Sequence, residues 1–220
     1  MDKSSNSNFF DRISVEMGFD RFSLDMEEPD SHLHFLDGKI IYHYDDEEDG
    51  DGKEKAIGAF RLTYIDSYSA LDRGISLCEV CDSDGDAYEF YEGAINFKND
   101  EFNSKTKKVL GDEIGDYGNV LIIDRIGICP EYRGRHLGLA VLRNLIQRFS
   151  LGANVVAIKP SPFEFTSEHI KQNQIDWHNC DNENSVEAKS LSKYYQKLGF
   201  KKIPKSAYLV LSTALKLPEI

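Results

Sequence analysis

The feature that most constrains the fold is an apolar run that leads through a glycine-containing turn into an amphipathic helix. The run from Val120 to Cys129 is nearly continuous in apolar residues and is closed by Pro130, which is typical of a strand buried on both faces. Apolar residues then recur at helical spacing from Leu137 to Phe149, and Asn154 to Ile158 supplies a second buried strand. This succession predicts a right-handed crossover that joins two parallel strands.

The turn between the first strand and the helix carries positive charge in a chain that is otherwise acidic. The residues at the point where strand becomes helix are Arg133, Gly134, Arg135, His136, Leu137 and Gly138. Free N–H groups at the start of a helix, together with the helix dipole, bind anions such as a pyrophosphate. Glycine lets the backbone approach such a ligand closely, and the arginines add charge. The sequence therefore predicts an anion-binding site in this turn.

Further strands are predicted in the N-terminal half, where segments alternate apolar and polar residues or are rich in branched and aromatic residues. They are Ile13 to Phe19, Lys39 to Tyr44 and Ala56 to Ile65. The last two are expected to pair antiparallel, with the acidic stretch Asp45 to Gly52 as their connection.

Two short helices are predicted between Tyr68 and Phe97, where apolar residues fall at mixed spacings of three and four. The stretch from Asn99 to Asp116 is polar and has no periodicity, so it is expected to be a connecting loop.

The C-terminal part predicts one more helix and a hairpin. Asn184 followed by Glu187 forms a capping-box pattern, and the helix is expected to stop at Gly199. Its apolar stripe consists of Leu191, Tyr194, Tyr195 and Leu198. The hairpin strands are Phe200 to Ile203 and Ala207 to Thr213. The polar stretch Ser167 to Asn184, which contains Trp177, predicts a long loop that serves as a substrate lid or is an insertion.

Composition narrows the classes of partner. The chain has 26 Lys+Arg against 38 Asp+Glu, a formal charge of −12, which argues against binding to nucleic acid because phosphates repel such a surface. No apolar stretch is long enough to span a bilayer or to act as a secretory signal, so a cytoplasmic protein is expected. Its four cysteines are too few for a disulfide framework in a chain of this length, which agrees with that compartment.

The turn resembles the coenzyme-binding signature of the GNAT superfamily of acyl-CoA N-acyltransferases. That signature is Arg or Gln, two residues, Gly, one residue, then Gly or Ala, and Arg133 and Gly138 match it. The preceding strand, the PEYRG turn and the later segment KYYQKLGF, which looks like the family's second motif, also agree. The chain departs from the signature at His136, which stands where the family has its first Gly.

The resemblance covers about Ile57 to Thr213 and implies an α/β (α+β) fold of the GNAT type. Such a fold has a mixed, mostly antiparallel central sheet, one parallel pair at the strand-turn-helix coenzyme site, and helices on both faces. Residues 1–38 are then expected to be an N-terminal extension, with one added strand as an option, and residues 39–220 the GNAT N-acetyltransferase domain. Family members usually place two helices after the first strand, whereas two strands precede the helices here. Either the N-terminal region adds a hairpin or one strand is misassigned.

The resemblance also implies roles for single residues. Backbone amides of Ile126, Gly127 and Ile128 would hold the thioester carbonyl and the pantetheine arm. Tyr195 aligns with the usual general acid of the family, although it also suits a core position on its helix. Ile122 occupies the position where some relatives carry a Glu base, and Asp124 is the nearest carboxylate on the same strand face. Asp124 therefore acts in catalysis or pairs with a cation, and a water chain is an alternative base.

The expected function is transfer of an acetyl group from acetyl-CoA, the acyl-donor cosubstrate, to a primary amine by direct attack in a ternary complex. The acceptor would be a small molecule or a protein amine, with no membrane partner, and pairing edges leave a homodimer open. Because of His136 and the missing strand Glu, a non-catalytic acyl-CoA-sensing or protein-binding module is the alternative. No metal is expected. A zinc site of Cys78, Cys81, His178 and Cys180 is the weaker third interpretation, since its spacings are irregular.

Overall fold

The computed structural model describes residues 9–19, 24–45, 52–162, 169–170 and 185–219. Its centre is a seven-stranded sheet. The strands of this sheet are β1 (Ile13–Phe19), β2 (Leu33–Asp45), β3 (Gly52–Ile65), β6 (Asn119–Ile128), β7 (Ala153–Ile158), β8 (Lys201–Lys202) and β9 (Leu209–Ser212). A separate two-stranded pair consists of β4 (Ile95–Asn96) and β5 (Glu101–Phe102). The strand order in the large sheet is β1, β2, β3, β6, β7, β9, β8.

Only the central pair β6 and β7 runs parallel among the described strands, and every other pairing is antiparallel. The helix that joins this pair is α5 (Leu137–Phe149), whose bounds are those the sequence predicts. The other helices are α1 (Ser67–Asp72), α2 (Leu77–Cys81), α3 (Gly85–Ala94), α4 (Ser104–Leu110) and α6 (Val186–Gln196). None of the described helices is both long and apolar enough to cross a membrane.

Helices cover both faces of the sheet, and each face has its own core. One apolar cluster joins Val120 and Ile122 of β6 to residues of α1, α2, α3 and α4. The other joins Leu121 and Ile123 of β6 to α5 and α6. Successive side chains of a strand point to opposite faces, so a continuous apolar run fills both cores at once. The predicted fold class, a mixed sheet with one parallel pair and helices on both faces, is confirmed.

The N-terminal strands are longer than the sequence predicts but occur where it places them. β1 has the predicted bounds. β2 begins at Leu33 rather than Lys39, away from the connection, whereas β3 begins at Gly52 rather than Ala56, next to the connection. β1, β2 and β3 therefore precede α1 in chain order. The expected boundary between residues 38 and 39 falls inside β2, so the extension contributes to the same sheet.

The segment from Asn99 to Asp116 was wrongly predicted as a loop, because it contains β5, α4 and a 3-10 turn at Asp112–Ile114. Its helix is short and buries only Thr106 and Leu110, which leaves almost no periodic signal. Asn103 caps the N-terminus of this helix, since its side chain accepts hydrogen bonds from the N–H groups of Lys105 and Thr106.

Two smaller expectations also change. Three helices occupy the stretch for which two were predicted, because Asp66, Ser76 and Asp84 each cap a separate start. The last helix is capped by Ser185, whose hydroxyl accepts from the N–H of Ala188, and Asn184 lies outside the described residues. The closing hairpin is present as β8 and β9, each shorter than predicted.

Candidate active site

The two parallel strands separate before β6 ends. Their ladder runs from Asn119 with Ala153 to Ile123 with Ile158, where β7 stops, whereas β6 continues to Ile128. On its other side this extension of β6 stays paired with β3 up to Gly58. The edge of β6 that faces β7 therefore has no strand partner from residue 124 to residue 128 within the described ranges. We call this gap the notch.

Backbone groups of Ile126 and Ile128 face the notch. The N–H of Cys129 donates to the carbonyl of Ile57 (2.8 Å), so position 129 turns its backbone towards β3. Because alternate residues of an antiparallel strand do the same, Gly127 also faces β3, while positions 126 and 128 face away from it. The Nε of Arg133 indeed reaches the carbonyl of Ile128 from that side (2.8 Å). Of the three residues whose amides were predicted to hold the thioester, Ile126 and Ile128 therefore face the notch, whereas Gly127 faces β3.

The turn after β6 presents the start of α5 to solvent. A 3-10 turn at Pro130–Tyr132 leads to Gly134, with φ of 82°, and to His136, with φ of 59°. The first N–H groups of α5 have no acceptor one turn earlier, since the intrahelical ladder begins with Ala140 donating to the carbonyl of His136. The His136 side chain makes no capping hydrogen bond. These N–H groups and the helix dipole favour an anion.

His136 has a backbone conformation that favours glycine. A positive φ is adopted by glycine without a steric penalty, whereas other L-residues are strained by about 1 to 2 kcal/mol. Histidine is among the side chains found there more often than most. The turn keeps its geometry with this residue, and its imidazole is exposed beside the helix start.

Arginine side chains surround the same turn. Arg133 and Arg135 are both exposed. The guanidinium of Arg135 lies over the ring of Phe9, 4.6 Å from its centre, which holds a charge near the helix start. Positive charge, the N–H groups at the start of α5 and a left-handed turn meet within one loop. Its assignment as an anion-binding site stays a prediction.

Tyr194 contacts this turn, although the sequence singled out its neighbour. Its hydroxyl accepts a hydrogen bond from the N–H of Leu139 (3.3 Å). A methyl group at Gly138 would lie 3.5 Å from the same hydroxyl, an ordinary contact, so Gly or Ala fits there. The pair of adjacent tyrosines was the only sequence signal for this contact.

Tyr195 lies in the core beneath α5, with 5% of its surface exposed. Burial raises the pKa of its phenol, and Tyr194 adds to the shift, so the hydroxyl stays protonated in neutral solution. Its assignment as the general acid stays a prediction.

Asp124 is an extra residue in its strand. Arg61 pairs with Arg125 and Leu62 with Ile123, so Asp124 forms a β-bulge in β6. Its side chain is 4% exposed. Oδ2 accepts a hydrogen bond from the hydroxyl of Thr63, which is itself buried, whereas Oδ1 is buried without a partner.

Burial raises the pKa of Asp124 well above its ordinary value. The hydrogen bond from Thr63 and the charge of Arg125 oppose this shift, while Asp84 and Asp86 add to it. The carboxyl group is therefore stabilised in its neutral form. It does not form an ion pair with any described cation.

A charged network surrounds Asp124 on the face covered by α3. Arg125 donates from Nη1 to the carbonyl of Asp124 (2.6 Å) and from Nη2 to Oδ2 of Asp86 (3.0 Å). Lys159 follows β7, and its Nζ lies 2.6 Å from Oε2 of Glu89 and 3.7 Å from Oδ1 of Asp86. These contacts and charges connect one group of side chains, which we call the acidic cluster: Thr63, Asp84, Asp86, Glu89, Asp124, Arg125 and Lys159. Apart from Asp124, sequence reasoning missed its members, because they come from separate segments with no shared motif.

The weaker zinc interpretation involves residues of α2. Cys78 is half-buried and Cys81 is buried, and both are free thiols. Burial raises the pKa of Cys81 to about 12, which disfavours a thiolate ligand. His178 and Cys180 lie outside the described residues. Within the described ranges, no group of three or more His, Cys, Asp or Glu side chains could hold a metal ion.

The segment predicted as a lid lies mostly outside the described residues. Of Ser167 to Asn184, only 169–170 is described, and Trp177 is not. Ile170 is fully buried against Ala59 and Cys129, where β3 and β6 approach the end of the notch.

Comparison with known proteins adds little to this description. No family model and no curated protein matches the chain. Among solved structures, it is similar to a point mutant of KacT, with 13% identity over 92% of this chain and 96% of that chain, at a TM-score of 0.43. It is also similar to AtaTR bound with acetyl-CoA, with 10% identity over 93% and 95% of the two chains, at a TM-score of 0.40. Likenesses of this size carry no functional argument.

Proposed function

We propose that the protein is an N-acyltransferase that transfers an acetyl group from acetyl-CoA to a primary amine by direct attack in a ternary complex. The observation that carries this proposal is the notch together with the turn at the start of α5. A pyrophosphate needs N–H groups and cations, and a pantetheine arm needs an extended backbone edge. Both are adjacent here, at the end of β6 and in the turn that follows it.

In this proposal the turn binds the coenzyme phosphates. Residues from Gly134 to Gly138 contribute backbone N–H groups, whereas that of Arg133 donates to the carbonyl of Pro130. Arg133, Arg135 and His136 contribute side chains. The pantetheine arm adds as an extra strand to the edge of β6 that lacks a strand partner, using the backbone of Ile126 and the N–H of Ile128. The carbonyl of Ile128 already accepts from Nε of Arg133. An N–H group of this edge would polarise the thioester carbonyl, because it points into the notch where charge develops. Gly127 has no side chain, so the strand carries no side-chain bulk between Ile126 and Ile128.

The reaction then requires that the ammonium nitrogen lose two protons and that the leaving thiolate gain one. The amine nitrogen attacks the carbonyl carbon, the carbon–sulfur bond breaks, and the thiolate leaves with the electron pair. The Tyr195 hydroxyl protonates that thiolate, for which its raised pKa keeps the proton available. Asp124 accepts the proton that the ammonium group must lose before attack, and it must first release its own proton to solvent, because burial favours its neutral form. The nitrogen loses a second proton to solvent when the carbon–sulfur bond breaks. The products are an amide, the free thiol of coenzyme A and one proton; Asp124 then returns its proton to solvent and Tyr195 takes one back.

Tyr195 and Asp124 belong to opposite faces of the sheet in this arrangement. Tyr195 packs in the core under α5 and α6, whereas Asp124 is close to the start of α3. The amine would therefore approach from the α3 face. The formal charge of −12 supports a cationic acceptor, whether a small molecule or a protein amine.

The test is release of free thiol from acetyl-CoA in the presence of a panel of primary amines. We expect turnover with at least one amine and formation of the corresponding amide by mass spectrometry. Binding of acetyl-CoA without turnover on any member would favour the acyl-CoA-sensing module, for which the His side chain at the signature Gly position is the supporting observation. Absence of binding would overturn both.

A further inference from the structure

The outer edge of β1 has no strand partner within the described part of the chain. β1 is the terminal strand of the large sheet and pairs only with β2 there. The N–H of His43 donates to the carbonyl of Arg12 (2.8 Å), so position 12 turns its backbone towards β2. Because this direction alternates along an antiparallel strand, positions 14, 16 and 18 also face β2. The odd-numbered positions from 13 to 19 therefore present their N–H and carbonyl groups at the outer edge.

The same strand carries its apolar side chains on one face. Ile13 and Met17 pack against the core under α5 and α6. Val15 and Phe19 share that face, because side chains alternate along a strand, yet they are 38% and 75% exposed. An edge that combines backbone groups without a strand partner and exposed apolar side chains is a template for another strand.

The opposite edge of the sheet is protected against such pairing, whereas β1 is not. β8 consists only of Lys201 and Lys202, both exposed, and Pro204 follows it closely. Short length, Lys and Pro are features that keep an edge strand from pairing with another chain. β1 is seven residues long, contains neither Lys nor Pro, and has Glu16 as its only charged residue. The sheet therefore leaves the β1 edge available to a further strand.

The spacing of the exposed side chains makes this edge complementary to itself. Val15 and Phe19 lie two residues on either side of Met17. If two β1 strands pair antiparallel around a twofold axis at Met17, Val15 of each copy lies opposite Phe19 of the other copy. The backbone groups of these positions point towards the second strand, so the opposed residues can exchange hydrogen bonds. A branched side chain opposite an aromatic one is also a favourable cross-strand pair.

The charge of Glu16 selects this register among the symmetric ones. An axis at Glu16 would place two carboxylates directly opposite each other, and like charges in that position are destabilising. An axis at Val15 would place Phe19 opposite position 11, before β1 begins, so its side chain would gain no partner strand. The axis at Met17 places Glu16 opposite Gly18 and brings the two exposed apolar side chains together.

We propose that two copies of this chain pair antiparallel through β1 around a twofold axis at Met17, which joins their two sheets into one continuous sheet. This inference does not depend on the proposed enzymatic function. Standard interfaces use about 20 to 30 residues of each partner, and a pair of β1 strands uses far fewer. The dimer is therefore reversible, and its population depends on protein concentration.

The first test is analytical ultracentrifugation of the full chain from about 1 to about 200 µM, where we expect a monomer that converts to a dimer as concentration rises. Phe19→Lys should weaken the dimer at least about tenfold, because it removes buried apolar surface from both copies and adds an edge Lys. The control is Leu151→Lys, the same kind of change at a side chain that is 80% exposed in the turn after α5. A monomer at every concentration, or equal weakening by the two variants, would overturn the proposal.

The second test fixes the register by disulfide cross-linking. Positions 16 and 18 of the two copies face each other as a pair without mutual hydrogen bonds, with Cα atoms about 4.5 Å apart, which suits a disulfide. A Cβ at Gly18 meets no atom within 4 Å, so Gly18→Cys fits the strand. With oxidised glutathione, a mixture of Glu16→Cys and Gly18→Cys should give a cross-linked peptide pair by mass spectrometry, and neither variant alone should. Cross-linking that is strongest in Glu16→Cys alone would overturn the axis at Met17.

Discussion

Replacing Asp124 by Asn should change how the stability of the protein depends on pH. Burial raises the pKa of Asp124 in the folded state above that in the unfolded chain. Between these two pKa values the folded protein holds one more proton at this site than the unfolded chain does. Linkage then makes the free energy of unfolding fall as pH rises, by about 1.4 kcal/mol per pH unit from this residue alone. The contribution is complete below the unfolded pKa and is lost above the folded pKa.

Asn has nearly the same shape and does not titrate. Its oxygen can still accept the hydrogen bond from Thr63, although the buried amide at the Oδ1 position adds an offset that does not depend on pH. The slope is therefore more informative than the offset. Relative to the wild-type protein, Asp124→Asn should gain stability by about 1.4 kcal/mol per pH unit within the window and then level off.

The assay is urea unfolding of both proteins from about pH 5 to about pH 9. The control is Glu113→Gln, which makes the same change from acid to amide at an exposed carboxyl group. The difference between Asp124→Asn and the wild-type protein should rise with pH, whereas the control difference should stay flat. A constant difference for Asp124→Asn would refute the claim that burial holds this carboxyl group neutral.

Two further predictions concern the turn and the proposed acid. Tyr195→Phe should lower turnover about a hundredfold and leave acetyl-CoA binding unchanged, because it removes only the general acid. If turnover is lost in Tyr194→Phe and kept in Tyr195→Phe, Tyr194 is the acid instead. His136→Val should lower the free energy of unfolding by about 1 to 2 kcal/mol in urea titrations, because a branched side chain is poorly tolerated at positive φ. His136→Gly should not lower it. Equal losses in the two variants would contradict the left-handed turn.

The sequence predicts the crossover well, because a strand buried on both faces requires a long apolar run and an amphipathic helix has a clear period. The bounds of α5 follow from its apolar stripe. By contrast, α4 is stabilised by hydrogen bonds of polar residues. Asn103 accepts from the N–H of Thr106, and the buried hydroxyl of Thr106 donates to the carbonyl of Ala94. Such a helix has no period to detect.

The candidate site divides in the same way. The turn from Arg133 to Gly138 is contiguous, so its spacing is visible in the sequence. The sheet register brings Thr63 of β3 to Asp124. Asp86 at the start of α3 joins through Arg125, and Lys159 after β7 through Asp86, so the cluster comes from separate segments. The bulge that contains Asp124 has no signature in an otherwise apolar strand.

The central claim is that the turn at the start of α5 binds the coenzyme. The most direct measurement is calorimetric titration with acetyl-CoA of the wild-type protein, of Arg133→Glu and of Arg148→Glu, which reverses an exposed charge in the last turn of the same helix. We expect micromolar binding by the wild-type protein, at least about tenfold weaker binding by Arg133→Glu, and little change in Arg148→Glu. Absence of binding by the wild-type protein, or equal weakening by the two variants, would contradict the assignment.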